Sequence, residues 1–280
     1  MNDPQTPSEP RSQPLTGEIL PGQSPAAGAD PHTPEQVARP VRTAYTPPAK
    51  TPYVTYTIMG ITIFIFILQQ ATQYLTGTDY PALLGMKVND WIVQGELWRF
   101  FTPMFLHGGL LHILFNMYAL RALGPVLEQH YGHGRFLALY ILAGFAGNVA
   151  SFALSVNPSL GASTSLFGLF GAEGVFLYHN QNLFGERAKA GLRQIFTLGV
   201  INLLFGLTPG MNIDNWGHLG GLVGGVLFSW FAGPLLKVEG IYPAYSIRDH
   251  RQPSSVWLGA VLVGAVFAGL AAGIIFLRMG

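Results

Sequence analysis

Two stretches of the chain place a hydroxyl and an imidazole at the starts of apolar segments. Ser163 lies in Gly-Ala-Ser-Thr-Ser-Leu-Phe-Gly, and His218 lies 55 residues later in Asn-Trp-Gly-His-Leu-Gly-Gly. A serine hydroxyl is a poor nucleophile until a base accepts its proton, and histidine is the usual base near neutral pH. An isolated serine in a membrane helix commonly bonds to its own turn, whereas an intramembrane histidine is rare and indicates function. The pair therefore predicts nucleophilic catalysis by a serine–histidine dyad.

Small residues beside both side chains favour a close approach of the two segments. On a helix, His218 shares a face with Gly221 and Gly225, and Ser163 shares one with Phe167. Ridges of small residues let membrane helices pack closely, which is ordinary packing and is also what a dyad needs.

Ser165 is a second candidate nucleophile, but two residues rotate it by about 200° from Ser163 on a helix. The stretch is not a hydrolase nucleophile elbow, because Ser165 stands where Gly-x-Ser-x-Gly requires glycine and no strand precedes it. We expect Ser163 to be the nucleophile.

A third stretch supplies groups suited to an oxyanion. His112 and Asn116 are spaced i and i+4 and therefore share one helix face. Together with the Ser163 N–H at the positive end of its helix, they predict an oxyanion site. His107 lies five residues before His112 and is assigned to structure in the membrane interface. A metal site formed by His107, His112 and His218 is an alternative, but no acidic residue accompanies them in a zinc-protease spacing, and we expect no metal and no cofactor.

The composition indicates a membrane protein. Of 280 residues, 49% are apolar and 10% are charged. A net charge of +1 argues against a nucleic-acid partner, and the lack of cysteine excludes disulfides and thiolate chemistry.

Residues 1–52 hold 12 of the 20 prolines and are predicted to form a disordered tail without a secretory signal.

Seven apolar segments follow the tail, and each is long enough, or nearly so, to cross a bilayer as a helix. The predicted fold class is therefore all-α, a polytopic membrane helix bundle. With the N-terminus inside, 12 of the 15 lysines and arginines fall on the inner side, which predicts a cytoplasmic tail and an outer C-terminus. The second, fourth and sixth segments then begin on the outer side, and they carry the three polar stretches. The predicted segments are 54–74, 107–127, 135–156, 162–179, 192–209, 215–236 and 255–277.

The long connection 75–106 is rich in aromatic residues and carries Trp98 and Arg99. Tryptophan and arginine suit the headgroup level of a bilayer, so we expect a compact, partly helical structure in the outer interface. Glu128 is expected to bond loop backbone or to pair with Arg121. His130 and His133 are expected to be solvated in the inner loop.

With these residues assembled, the chain resembles the rhomboid intramembrane serine proteases. The resemblance covers about 53–240 as a six-helix core, and residues 241–280 add a loop and a seventh transmembrane helix. It rests on several ordered motifs: Trp98-Arg99; His107, His112 and Asn116; Gly124, Glu128 and Gly132; Gly161-x-Ser163; and His218 with Gly221 and Gly225.

The resemblance implies that Ser163 is the nucleophile, that His218 is the base, and that His112, Asn116 and the Ser163 N–H bind the oxyanion. It also implies that Phe167 lies against the base, and that the fifth span and the 207–214 loop form a gate and a cap. Thr164 stands where the family usually has glycine, and Gly217 where it usually has alanine.

The expected activity is that of an endopeptidase of the bacterial inner membrane. It would cut single-span membrane proteins near their outer boundary, within the lipid bilayer. The alternative is a catalytically silent rhomboid-like protein that binds membrane helices, which Thr164 alone favours. A channel or transporter is a third reading, but the chain lacks the inverted repeats or paired intramembrane charges that this would require.

Overall fold

The computed structural model describes residues 16–18, 42–44, 51–208, 213–241 and 244–279. Two antiparallel strands, β1 (Thr16–Glu18) and β2 (Arg42–Ala44), are the only parts of residues 1–50 within these ranges. Apart from these strands and residues 51 and 52, the predicted disordered tail, 1–52, lies outside the described residues. Residues 209–212 of the predicted cap lie outside them as well. The ten α-helices of the described ranges are α1 (Tyr53–Thr76), α2 (Tyr80–Gly85), α3 (Asn89–Val93), α4 (Leu110–Tyr131), α5 (His133–Leu154), α6 (Ser163–His179), α7 (Gln181–Phe184), α8 (Glu186–Phe205), α9 (Asn215–Ala232) and α10 (Pro253–Met279).

The all-α bundle is confirmed, and each predicted span coincides with one long helix. By length and composition, α1, α4, α5 and α10 could each cross a membrane. The other three are shorter or less apolar: α6 has 17 residues, α8 begins with several charged residues, and α9 carries many glycines. The sixth span is shorter than predicted, because α9 ends before Gly233-Pro234 and the chain turns into strand β3 (Leu236–Ile241).

Helices α5, α6 and α9 form the centre of the bundle through contacts between small residues. Gly225 of α9 lies directly against the backbone of Gly168 in α6, with no space for a side chain. A methyl group at Gly224 of α9 would lie 2.5 Å from Ala146 of α5. Such contacts bring backbones together in a bilayer, where burial of apolar surface gives little drive to helix association.

Glu128 of α4 fixes the start of α1. Its carboxylate accepts hydrogen bonds from the backbone N–H groups of Val54 (2.8 Å) and Thr55 (2.7 Å) and from the Thr55 hydroxyl (2.6 Å). It also pairs with His133 at 2.6 Å. Of the two expected alternatives, Glu128 thus bonds backbone, at the start of α1, where N–H groups lack a partner within the helix. The pairing with Arg121 is wrong, since Arg121 contacts Tyr56 instead.

One of the two inner-loop histidines differs from expectation. His130 lies within α4, is 4% exposed and stacks on Phe176 at a centroid distance of 4.4 Å. His133 is partly exposed but is bound to Glu128. Because α4 extends to Tyr131, one turn beyond the predicted span, it carries His130 into the bundle.

The connection between α1 and α4 is partly helical, as expected, and Arg99 organises it. Besides α2 and α3 it contains two 3₁₀ turns, Leu97–Phe100 and Thr102–Phe105. The buried Arg99 guanidinium donates to the carbonyls of Met86 (2.8 Å) and Leu83 (3.0 Å) and lies 4.3 Å from the centroid of Trp91. Trp98 is half-exposed and donates to the carbonyl of Leu84 at 3.0 Å.

Helix α10 packs on α5 and α9 and follows an antiparallel hairpin of β3 and β4 (Ala244–Asp249). Asp249 at the end of the hairpin pairs with Arg135 of α5 at 2.7 Å. At the opposite end of the bundle, Arg278 donates to the Phe152 carbonyl at 3.0 Å. The core boundary predicted at residue 240 falls inside β3.

Candidate active site

The starts of α4, α6 and α9 bring the three polar stretches to one end of the bundle. His112 is the third residue of α4, Ser163 the first of α6, and His218 the fourth of α9. Helix N-termini expose unpaired N–H groups and carry a partial positive charge. The site is therefore lined by donors suited to an anionic group.

Gly161 brings His112 and Ser163 to the same space. Its backbone has φ +140°, which side-chain-bearing residues rarely adopt, and its N–H donates to the Pro103 carbonyl at 2.9 Å. A methyl group at Gly161 would lie 2.8 Å from Cε1 and Nε2 of the His112 ring and 3.5 Å from the Ser163 hydroxyl oxygen. The His112 imidazole and the Ser163 hydroxyl therefore border the same space, which is open only because residue 161 is glycine.

His218 is held by an aromatic ring and by its own helix cap. The imidazole is 6% exposed and stacks on Phe167 of α6, with centroids 4.2 Å apart and planes 13° apart. Its Nδ1 has no hydrogen-bond partner among the described residues. Asp214 caps α9, accepting from the Gly217 N–H at 2.9 Å and from the Ser151 hydroxyl. The ring is thus oriented by stacking, without a carboxylate bonded to Nδ1.

Asn116 and His107 complete the α4 side of the site. The buried Asn116 amide donates to the His112 carbonyl at 2.9 Å, one turn back on the same face. His107 is 1% exposed, lies edge-on to His112 with centroids 5.0 Å apart, and accepts from the Ala162 N–H at 3.5 Å. It therefore packs directly behind His112, closer to the site than the interface position expected for it.

The two hydroxyls that follow Ser163 turn away from this space. Ser165 is fully buried, with its hydroxyl against Gly144 of α5 and 3.8 Å from the Met104 sulfur. Thr164 is 5% exposed and lies against Gly147 of α5. Of the three consecutive hydroxyls, Ser163 alone shares the space above Gly161 with His112.

Two further sets of predicted residues support the site from a distance. Gly221 of α9 lies against the Thr164 carbonyl and, with Gly225, allows α9 to approach α6. Trp98 and Arg99 lie in the connection between α1 and α4, where they bond backbone carbonyls of that connection and Arg99 also pairs with the Glu96 carboxylate at 2.6 Å. Within the part of the chain that the structure describes, no cluster of three histidine, aspartate or glutamate side chains could hold a metal ion.

Sequence reasoning missed a buried cation next to the α9 cap. Lys87 is fully buried, and its Nζ lies 3.3 Å from the Ser155 carbonyl and 3.5 Å from that of Ser151, at the end of α5. Burial lowers the pKa of Lys87 to about 8, against an opposing attraction from Asp214. A lone lysine in a polar connection carries no periodic signal, so the sequence alone does not reveal this contact.

Comparison with known proteins decides the family. The family model described as Rhomboid domain matches residues 94–235, about half of the chain. The chain belongs to the rhomboid family. It is 38% identical over 219 residues to Rhomboid protease GluP of Bacillus subtilis (strain 168), a match that covers 78% of this chain and 41% of that protein.

Two plant relatives show the same relationship. RHOMBOID-like protein 9, chloroplastic, of Arabidopsis thaliana is 37% identical over 161 residues, covering 56% of this chain and 36% of that protein. RHOMBOID-like protein 6, mitochondrial, of the same plant is 33% identical over 216 residues, covering 73% and 69%. The chain therefore matches well under half of the length of the first two of these relatives.

Proposed function

We propose that this protein is an intramembrane serine endopeptidase that hydrolyses peptide bonds of transmembrane substrates through Ser163 and His218. The observation that carries the proposal is the meeting of the starts of α4, α6 and α9, which brings a hydroxyl and two imidazoles to one end of the bundle. Membership of the rhomboid family and the similarity to a protein named as a rhomboid protease support it.

In the proposed reaction, His218 accepts the proton of Ser163 as the hydroxyl oxygen attacks the scissile carbonyl. The oxyanion of the tetrahedral intermediate is bound by the Ser163 N–H and by the side chains of His112 and Asn116. His218 then donates its proton to the leaving amine, and water hydrolyses the acyl-enzyme by the same route. The stacking on Phe167 takes the orienting role that an acid fills in a triad.

Substrate would reach Ser163 sideways from the bilayer, beside α8. This helix buries only Ala188, near its start, where Gly191 also packs against Leu177 of α6. Its second half presents exposed apolar residues, including Phe196 and Phe205. The far end of α8 contacts the start of α9, where the Asn215 amide donates to the Leu203 carbonyl at 3.1 Å. The exposed apolar residues of this half of α8 support a single-span membrane protein as the substrate.

The lysine and arginine distribution supports an orientation with the tail in the cytoplasm and the C-terminus outside. The site would then lie just below the outer surface, where water can enter without crossing the bilayer. A bacterial cell membrane fits this arrangement and the similarity to the Bacillus protein.

The only sequence feature that favours the alternative, a silent helix-binding protein, is Thr164 beside the nucleophile. The Thr164 side chain lies on the α5 side of α6, against Gly147 and away from the space above Gly161. This placement favours the protease over the silent protein.

The test is cleavage of a single-span substrate by purified protein reconstituted in liposomes. Ser163→Ala and His218→Ala are each expected to abolish cleavage while the protein stays folded. Ser165→Ala is the matched control, because that hydroxyl is buried against α5 and should leave cleavage intact. Undiminished cleavage by Ser163→Ala or His218→Ala would overturn the proposal.

A further inference from the structure

The Thr164 side chain fills a pocket formed by glycines of two neighbouring helices. A methyl group at Gly147 of α5 would lie 2.7 Å from Thr164 Cβ and 3.0 Å from its Cγ2. A methyl group at Gly217 of α9 would lie 3.1 Å from the same Cγ2, and 2.9 Å and 3.0 Å from Oδ2 and Cγ of Asp214. The Thr164 methyl and the Asp214 carboxylate thus share the space that a side chain at Gly217 would need.

Gly217 directly precedes His218 in the first turn of α9. One turn later, Gly221 lies against the Thr164 carbonyl, so α9 contacts both the side chain and the backbone of the residue after Ser163. Any change in the volume between Thr164 and Gly217 therefore acts on the two helix turns that carry the hydroxyl and the imidazole.

We propose that Thr164 and Gly217 form a size-matched pair that sets how closely the start of α9 approaches the start of α6. Thr164 is then a positioning residue for His218, and Gly217 is required because Thr164 and the capping Asp214 leave no room for a side chain there. The inference rests on the proposed function of Ser163 and His218.

The positioning role of Thr164 depends on the volume of its side chain and not on its hydroxyl group. The Thr164 Oγ1 is buried and has no hydrogen-bond partner among the described residues. The contact with Gly217 is made by the methyl group, Cγ2. Serine at position 164 would remove that methyl and keep the hydroxyl, whereas valine would keep the shape and remove the hydroxyl.

The size of the effect follows from the contact distance. A methyl at Gly217 would be 3.1 Å from Thr164 Cγ2, while carbon atoms pack at about 3.5–4.0 Å, so the α9 turn must shift by roughly half an ångström. Active-site groups tolerate displacements of about 0.5 Å, and about 1 Å can cost about 100-fold in rate. We therefore expect Gly217→Ala to lower kcat by about tenfold.

The decisive experiment is a volume-conserving double substitution. Gly217→Ala adds one methyl and Thr164→Ser removes one of the two groups that it would meet, while the Asp214 carboxylate remains. The double variant should therefore have a kcat at least about threefold above that of Gly217→Ala alone. KM for a single-span substrate should stay constant throughout. Thr164→Val should keep kcat near wild type and raise Tm. The control Gly174→Ala on α6, where a methyl meets nothing within 4 Å, should leave kcat unchanged.

Two additional readouts separate positioning from folding. The rate of labelling of Ser163 by a small fluorophosphonate should follow kcat, because the probe needs the dyad and no substrate helix. Wild-type kcat in Gly217→Ala, or a double variant as impaired as Gly217→Ala, would overturn the inference. A double variant that fails to fold would also contradict it, since the total volume is conserved. Cleavage that survives Ser163→Ala would instead overturn the proposed function.

Discussion

Replacing Gly161 by alanine should disable the oxyanion side of the site while leaving the bundle folded. The new methyl would lie 2.8 Å from Cε1 and Nε2 of His112, where ordinary contacts need about 3.5 Å or more. The ring must therefore move by about 0.7 Å, and the backbone φ of +140° adds about 1–3 kcal/mol of strain for a residue other than glycine. Because loss of one oxyanion donor costs about 10²–10³ in kcat, we expect a fall of about 100-fold.

The assay is cleavage of a single-span substrate in liposomes, with kcat and KM measured separately. If Gly161→Ala acts by displacing His112, the double variant Gly161→Ala/His112→Ala should be no slower than His112→Ala alone. Gly174→Ala is the matched control, since its methyl points into open space and should slightly stabilise α6. A kcat within threefold of wild type, or losses that add in the double variant, would refute the reasoning.

Three further predictions concern stability in detergent micelles. Glu128→Ala should lower the free energy of unfolding by about 2–6 kcal/mol, because two N–H groups at the start of α1 lose their acceptor, at about 1–3 kcal/mol each. A Tm equal to that of the wild type would contradict this. The free energy of unfolding should rise between about pH 8 and pH 10.5, because the buried Lys87 releases its proton before the unfolded chain does; Lys87→Met should lack this rise in denaturant titrations. Arg278→Ala should lower the free energy of unfolding by about 1–3 kcal/mol and speed amide exchange at the end of α10, because the hydrogen bond to the Phe152 carbonyl is lost. Unchanged exchange would contradict this prediction.

The parts of the fold that depend on local pattern could be predicted from the sequence. Each apolar segment became a helix, because a helix satisfies its backbone internally whatever surrounds it. Because successive spans run in opposite directions, the starts of every second span, with His112, Ser163 and His218, lie at one end of the bundle. The spacing placed Phe167 on the face of Ser163, whereas its stacking on His218 was expected only from the resemblance to the family.

The contacts that join distant segments were not predictable in the same way. Glu128 binds the start of α1, 73 residues earlier in the chain, and no neighbouring residue in the sequence indicates that contact. Lys87 is buried against the end of α5, and no neighbouring residue in the sequence indicates that contact. The fit of Thr164 against Gly217 depends on the distance between two backbones, which composition and spacing do not determine.

The most direct test of the account is to locate the adduct formed by a fluorophosphonate on the full-length protein in liposomes, by peptide mass spectrometry. The account predicts a single modified serine, Ser163, and no adduct in His218→Ala. An adduct on Ser165, or labelling that persists in Ser163→Ala, would contradict it.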